Sequence, residues 1–362
     1  MSRPARLAAY GAVSTSLALT SDRELGELLD AAEPLGSGIG GRSARLDISG
    51  TPVFVKRVPL TDLELLPEHI RSTANVFGLP MFCQYGIGDI GATGFGAWRE
   101  LAVHTMTTDW VLAGRCRGFP LMYHWRVLPD TAPALPEELA DVEGAVAYWG
   151  GGAEVRRRIK AIEHSSASLA LFLEYIPQTL HDWFTAETAA GEEATDRACA
   201  LVERGLRAGT SFMNARGLLH FDAHFQNILT DGRRLYFADY GLALSSRFAL
   251  TPAESGFFEE HRVYDRCYTV WYLVSWLITA LLGYDRAERE ALIHACAQGE
   301  RPPAMPAEAE RIITRHAPLA SVLTDFQGGF RDESRTTPYP VERIHRVCER
   351  RVRRSRPVTP PR

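Results

Sequence analysis

The residues best suited to chemistry lie in one segment, Gly217-Leu-Leu-His-Phe-Asp-Ala-His-Phe-Gln-Asn-Ile-Leu229, with a second acidic centre close behind it in Phe237-Ala-Asp-Tyr-Gly241. The first has the form H-x-D-x-H-x-x-N: His220, Asp222, His224 and Asn227. An isolated carboxylate such as Asp222 can accept or orient the proton of an incoming hydroxyl. Two further oxygen donors, Asn227 and Asp239, can hold Mg²⁺ against the phosphates of a nucleotide. That is the short set of groups phosphoryl transfer requires, provided they are well placed. His220 and His224 also have a spacing that binds zinc on a helix. An Asp lies between them and a strand follows, so they are expected to prop the loop instead.

Upstream, Leu35-Gly-Ser-Gly-Ile-Gly-Gly41 contains Gly36, Gly38 and Gly41 in a G-x-G-x-x-G pattern. A dinucleotide fold would set these glycines between a strand and a helix. Here the strand-like stretches 43–48 and 51–58 follow, separated by Ser49-Gly50, which predicts a hairpin whose glycine loop covers phosphates. Lys56 lies in the second stretch. Of 40 basic residues only Lys56 and Lys160 are lysine, so a lysine is informative in this chain. A compact ammonium bridging phosphates and a carboxylate is a task arginine performs poorly. Its carboxylate partner is expected to be Glu100, with Glu64 and Glu68 as competitors.

The elements that must position these groups can be read in outline. Helices are expected over 22–32, with Ser21 and Glu24 as a capping box, near 63–74, and over 97–111. Two more are expected in 133–165, broken at Gly150-Gly151-Gly152, then others over 179–189, 193–216, 262–282, 286–298 and 307–316. Strands are expected over 119–128, 168–176, 227–230 and 234–238, and a mobile loop at the glycines between Gly86 and Gly96. A sheet-rich first half and a helix-rich second half predict an α+β protein with two lobes.

Composition bounds the rest. The 362 residues, 46% of them hydrophobic, suffice for two lobes around a cleft. A net charge of −4 gives no reason to expect nucleic acid as partner. Arginines cluster from Arg343 to Arg356 ahead of a Pro-rich end, as a solvated helix face and tail or as a patch for an anionic partner. The six cysteines form no C-x-x-C pair, which suits a reducing compartment. With no secretory signal and no apolar run long enough to span a bilayer, a cytoplasmic location away from membranes is expected.

Taken together, Gly36/Gly38/Gly41, Lys56, Asp222, Asn227 and Asp239-Tyr-Gly241 resemble the protein-kinase-like superfamily, and H-x-D-x-H-x-x-N is closest to its aminoglycoside phosphotransferase and choline kinase branch. The resemblance covers roughly residues 30–285. It implies a bilobal kinase fold, with ATP and Mg²⁺ as cofactors. An extension over 1–21 would precede an N-lobe over 22–176, with insertions at 59–97 and 129–167. A C-lobe over 177–340 and a basic tail over 341–362 would follow. By the same resemblance, Glu174 and Ile176 backbone groups would meet adenine. Phe221 stands where regulated protein kinases carry Arg, which argues against control by loop phosphorylation. The loop lacks an A-P-E ending, although Thr251-Pro-Ala-Glu254 lies nearby. Asp265 is either the buried acid that ties the catalytic loop to the next helix or a helix N-terminal acid. The expected activity is transfer of the γ-phosphate to a hydroxyl, foremost as an atypical Ser/Thr protein or peptide kinase. The alternatives are a small-molecule O-phosphotransferase and a catalytically inert nucleotide-binding scaffold.

Overall fold

The structure is a computed structural model that describes residues 2–131 and 134–354, the side chains of 350–354 excepted. It is a mixed α+β protein built around a five-stranded antiparallel sheet. The chain opens with helix α1 (Arg3–Leu19) and helix α2 (Asp22–Asp30). The Ser21–Glu24 capping box forms as the sequence predicts: each side chain takes up the other residue's backbone N–H. Strands β1 (Glu33–Gly38), β2 (Gly41–Ile48) and β3 (Thr51–Leu60) make consecutive hairpins. Helix α3 (Ala97–Leu112) and strand β4 (Met122–Pro129) follow, then helices α4 (Glu137–Ala140), α5 (Val142–Tyr148) and α6 (Ala153–Glu163). Strand β5 (Ala167–Glu174) completes a sheet of order β1-β2-β3-β5-β4. All eight residues of β5 are buried. That is why it reads as a nearly unbroken apolar run, as strands covered on both faces do.

The remainder is mostly helical. Short strands β6 (Gln178–Thr179), β7 (Leu218–Leu219), β8 (Ile228–Thr230), β9 (Leu235–Phe237) and β10 (Leu244–Ser245) frame the catalytic segment. Helices α7 (Leu180–Ala189), α8 (Glu192–Asn214), α9 (Pro252–Glu260), α10 (Tyr264–Leu282), α11 (Arg286–Gln298), α12 (Ala307–Gly328) and α13 (Val341–Arg354) pack beneath them. Among the described residues, no single helix is long and apolar enough to cross a membrane.

Several expectations are corrected. Residues 63–74 form turns instead of a helix, because Pro67 interrupts the segment and only isolated i→i+4 bonds survive near Leu65 and Ile70. Three helices, not two, occupy 137–163, although the break at the glycines stands, with φ of 86° at Gly150 and 76° at Gly151. Residue 133 lies outside the described residues. Helix α12 continues twelve residues past His316, through Pro318. The buried Leu319, Val322, Leu323 and Phe326 outweigh the one backbone bond a proline removes.

Within the expected N-terminal extension, residues 3–19 fold as α1 and pack on the sheet. Val13 and Leu17 of α1 are buried, and Ser14 Oγ donates to the Tyr123 carbonyl of β4. Likewise 341–349 is not a free tail: Ile344 is buried and Arg343 pairs with Asp325 of α12. The side chains of the arginines from Arg350 onward lie outside the described residues.

Candidate active site

Lys56 lies on the face of β3 that also carries the buried Val58 and Leu60, and its side chain lines a cleft between the sheet and the helical region. Its Nζ donates to Glu100 Oε1 at 2.8 Å and to Asp239 Oδ1 at 2.9 Å. Glu100 is therefore the partner, as expected. The competitor Glu64 is instead taken up by Arg158 at 3.0 Å and by the N–H of Ala97, while Glu68 is exposed. Burial opposes charge on Lys56, but the two carboxylates overcome it and raise its pKa. Burial likewise opposes ionisation of Asp239, yet the Lys56 ammonium and the Gly241 N–H hold it down at about 2. Asp239 thus stays ionised at any working pH, with 44% of its side chain open to the cleft.

The segment from His220 to Asn227 is held by groups remote in sequence. Asp265, at the start of α10, accepts the N–H of His220 at 2.6 Å and of Phe221 at 2.9 Å. It is the tie between loop and helix. Full burial lifts its carboxyl to about 6 despite those two bonds. His220 is buried and neutral, its pKa pushed down to about 4 by desolvation, and its Nε2–H donates to the Ala238 carbonyl at 2.9 Å. The loop thereby grips the chain between β9 and Asp239, a structural role as expected. Phe221 is fully buried against Tyr264 and Phe257, with stacked rings 4.7 and 5.6 Å away. Phe221 and Asp239 both adopt left-handed backbone, φ 63° and 58°. Such conformations cost about 1–3 kcal/mol each and persist where the surroundings over-determine them.

These anchors leave Asp222 at the floor of the cleft. Asn227 Nδ2 donates to its Oδ2 at 2.8 Å and to its carbonyl at 3.0 Å, so the amide fixes the carboxylate's orientation. Burial raises the Asp222 pKa above the ordinary aspartate value, which suits a general base. His224 Nε2 lies 3.7 Å from the same carboxylate.

Two cavities meet at this point. One, about 830 Å³, is lined by Gly36, Gly38, Gly40, Gly41, Lys56, Glu174, Ile176, Asn227 and Asp239. The other, about 540 Å³, holds Asp222, His224, Gly86, Tyr268, Trp271 and Tyr272. Gly40, Gln226 and Asp239 border both. Of the residues expected at the nucleotide, all but Glu100 line the larger cavity; Glu100 lines the smaller one while holding Lys56. The glycine pattern is only partly required. Gly41 has φ 113°, and a Cβ there would come within 2.0 Å of the Arg57 carbonyl. Gly40, outside the pattern, approaches the Lys56 ammonium most closely, whereas a Cβ on Gly38 would meet nothing. Gly36 and Gly38 belong to a strand, β1, that sequence reasoning left as loop.

Glu174 and Ile176, whose backbone groups are expected at adenine, both line the larger cavity. The Glu174 N–H donates to Leu121 O at 2.7 Å, so it is committed within the chain. The Glu174 carboxylate is bound by Arg6 of α1, with Nε to Oε1 at 2.7 Å. Among the described residues the Ile176 N–H makes no hydrogen bond, which leaves it as a donor on this wall.

The largest omission concerns the glycines from Gly86 to Gly96. They are not a free loop but the roof of the smaller cavity. A Cβ on Gly86 would sit 2.2 Å from Asp222 Oδ1, and one on Gly94 2.8 Å from the Gly241 carbonyl. Gln84 Nε2 donates to the Leu242 carbonyl, and Tyr148 Oη accepts the Asp89 N–H at 2.8 Å. The density of glycines was the available signal, since close backbone approach demands them.

The donor set fits Mg²⁺ bound together with phosphates. Asp239 offers a carboxylate, and Asn227, whose Nδ2 is engaged by Asp222, offers Oδ1. Mg²⁺ characteristically takes one or two protein oxygens and leaves the rest to phosphate and water. Among the described residues no cluster of three or more His, Cys, Asp or Glu forms a self-sufficient metal cage. No protein-family model matches this chain, and a search of curated proteins returned no significant relative.

Proposed function

We propose that the protein is an ATP- and Mg²⁺-dependent phosphotransferase with a bilobal protein-kinase-like plan, acting on a hydroxyl acceptor. The observation that carries this reading is the junction of the two cavities. There Lys56, Glu100 and Asp239 line up on one side and the braced Asp222 on the other. The larger cavity suits a nucleotide, whose phosphates would lie under the Gly40-Gly41 turn with Lys56 as counter-charge. Bound at Asp239 and Asn227, Mg²⁺ supplies neutralisation of phosphate charge. Asp222 accepts the proton of the acceptor hydroxyl as its oxygen bonds to the γ-phosphorus. The bond from phosphorus to the β–γ bridging oxygen breaks, and ADP leaves with that electron pair.

A small-molecule acceptor is favoured over a polypeptide by one specific observation. Gln84, Gly86 and Gly94 cover the backbone at Gly241 and Leu242, beside Asp222, where an extended chain would have to lie. The cavity left under this roof is of the size that encloses a small ligand.

Single-turnover incubation with γ-labelled ATP and Mg²⁺ tests the reading. Label is expected to pass to water or to an added hydroxyl compound. If ATP binds but no label moves to water, protein or any acceptor, the scaffold alternative replaces it.

A further inference from the structure

Residues 99 and 100 are neighbours on α3 but face in different directions, since successive residues of a helix are about 100° apart. Glu100 reaches Lys56. Arg99 turns the other way, to the segment that follows the Asp239 strand. Its Nη2 donates to Glu254 Oε1 at 2.6 Å, and its Nε donates to the Thr73 carbonyl at 2.8 Å. Both members of the ion pair are 2% exposed. Glu254 is itself fixed, because its second oxygen caps α9 by accepting the Thr251 N–H at 2.9 Å. The Phe95 and Phe248 rings cover the guanidinium, 5.1 and 5.4 Å from its carbon. One side chain thus joins α3, the 59–97 segment and α9.

No other feature of α3 explains why a full charge should be buried here. The helix already packs through Leu101, Val103, Trp110 and Val111. A buried ion pair is weak evidence for stability, since apolar side chains of similar volume commonly do as well or better. What the pair supplies is a fixed direction and register for α3 against the helical region. The consequence for the site is immediate, because the next residue must meet the Lys56 ammonium at 2.8 Å.

We propose that Arg99 and Glu254 form a permanent clamp that positions α3, and through it Glu100, for Lys56. A carboxylate belonging to the chain holds the helix in place, so no modification of the 242–254 segment is needed to order the site. Phe221 agrees with this, since it leaves no arginine beside Asp222 to receive a phosphate. Both clamp residues are positioning residues. Their effect on turnover rests on the phosphotransferase reading; their effect on α3 does not.

The test compares Arg99→Met, Arg99→Lys, Glu254→Gln and the double variant Arg99→Met/Glu254→Met. The measurements are amide exchange in α3, kcat for ATP turnover with water as acceptor, binding of Mg²⁺ with the β,γ-imido analogue of ATP, and thermal midpoint. Arg99→Met and Glu254→Gln each strand a buried charge and are expected to lose stability. The double variant strands no charge, so its midpoint is expected to recover much of that loss, less what the Thr73 carbonyl and the Thr251 cap give up. Its kcat is nonetheless expected to stay about 10- to 100-fold low, the effect of an ångström-scale misplacement. Its α3 amides should exchange faster while nucleotide affinity shifts by less than about threefold, or ~0.7 kcal/mol. Arg99→Lys should recover part of the turnover. Wild-type kcat and wild-type α3 protection in the double variant would overturn the proposal. If the wild-type protein turns over no ATP, the phosphotransferase reading fails, and exchange in α3 alone decides the clamp: faster supports it, unchanged sinks it.

Discussion

Gly86→Ala places one methyl group against the Asp222 carboxylate, the base of the proposed reaction, and against little else. The added Cβ would lie 2.2 Å from Asp222 Oδ1, 2.9 Å from its Cγ and 3.4 Å from Leu242 Cδ1. Comfortable contact begins near 3.5 Å, so Asp222 must retreat by about 1 Å. It cannot do so freely, because Asn227 holds its other oxygen at 2.8 Å and Asp265 holds the backbone just before it. A shift of that size at a reacting group lowers the rate about 100-fold. The overpacking itself costs about 1–3 kcal/mol of stability. Lys56, Glu100 and Asp239 do not touch Gly86, so nucleotide affinity should be nearly unchanged. Single-turnover hydrolysis of γ-labelled ATP gives the chemical step, and calorimetric titration with the β,γ-imido analogue gives the affinity. Wild-type turnover in a folded Gly86→Ala protein would refute the placement of the roof over Asp222. Equal losses of rate and affinity would refute the division into two cavities.

Other outcomes follow from the same geometry. Asp222→Asn should abolish transfer with little change in Mg·ATP affinity, whereas Asp239→Asn should weaken that affinity as well; equal weakening in both contradicts the separate roles. Lys56→Arg should be strongly impaired although it keeps its charge, because a forked guanidinium cannot take the place of an ammonium held between two carboxylates; near-normal kcat would remove the special role of lysine. Arg6→Met leaves the buried Glu174 carboxylate without its partner and is expected to destabilise the protein by about 3–5 kcal/mol, read from urea midpoints; adding Glu174→Met should restore most of the loss. Asp265 carries a proton in the folded protein up to about pH 6, but in the unfolded chain only to about pH 4. The unfolded chain therefore binds fewer protons between these values. The contribution of Asp265 should decline with rising pH across that window, by about 3 kcal/mol. Asp265→Asn should flatten this slope in urea titrations at pH 4 and pH 6.5, and an unchanged slope excludes Asp265 as its source.

The candidate site was legible in the sequence because groups that would meet phosphate and metal must be of particular types at short spacings. Asp222, Asn227 and Asp239 lie within eighteen residues of one another, and their local segment already brings them near the same point. Lys56 stood out because this chain uses arginine almost everywhere else. Helix starts at Asp22 and Arg286 were equally local, since a capping box is a contact between residues three apart.

Tertiary structure decided what depends on contacts between distant residues. That Glu100, rather than Glu64, meets Lys56 follows from Arg158, ninety-four residues away, engaging Glu64. The commitment of Glu174 to Arg6 spans 168 residues, and the Arg99–Glu254 pair spans 155. The glycines near Gly86 announced close packing but not against what. Their partner, Asp222, is a residue the sequence did single out. Residue type and short spacing carry the proposed reaction, because bonding geometry acts locally. The acceptor's enclosure and the setting of α3 are products of packing, which a linear pattern does not encode.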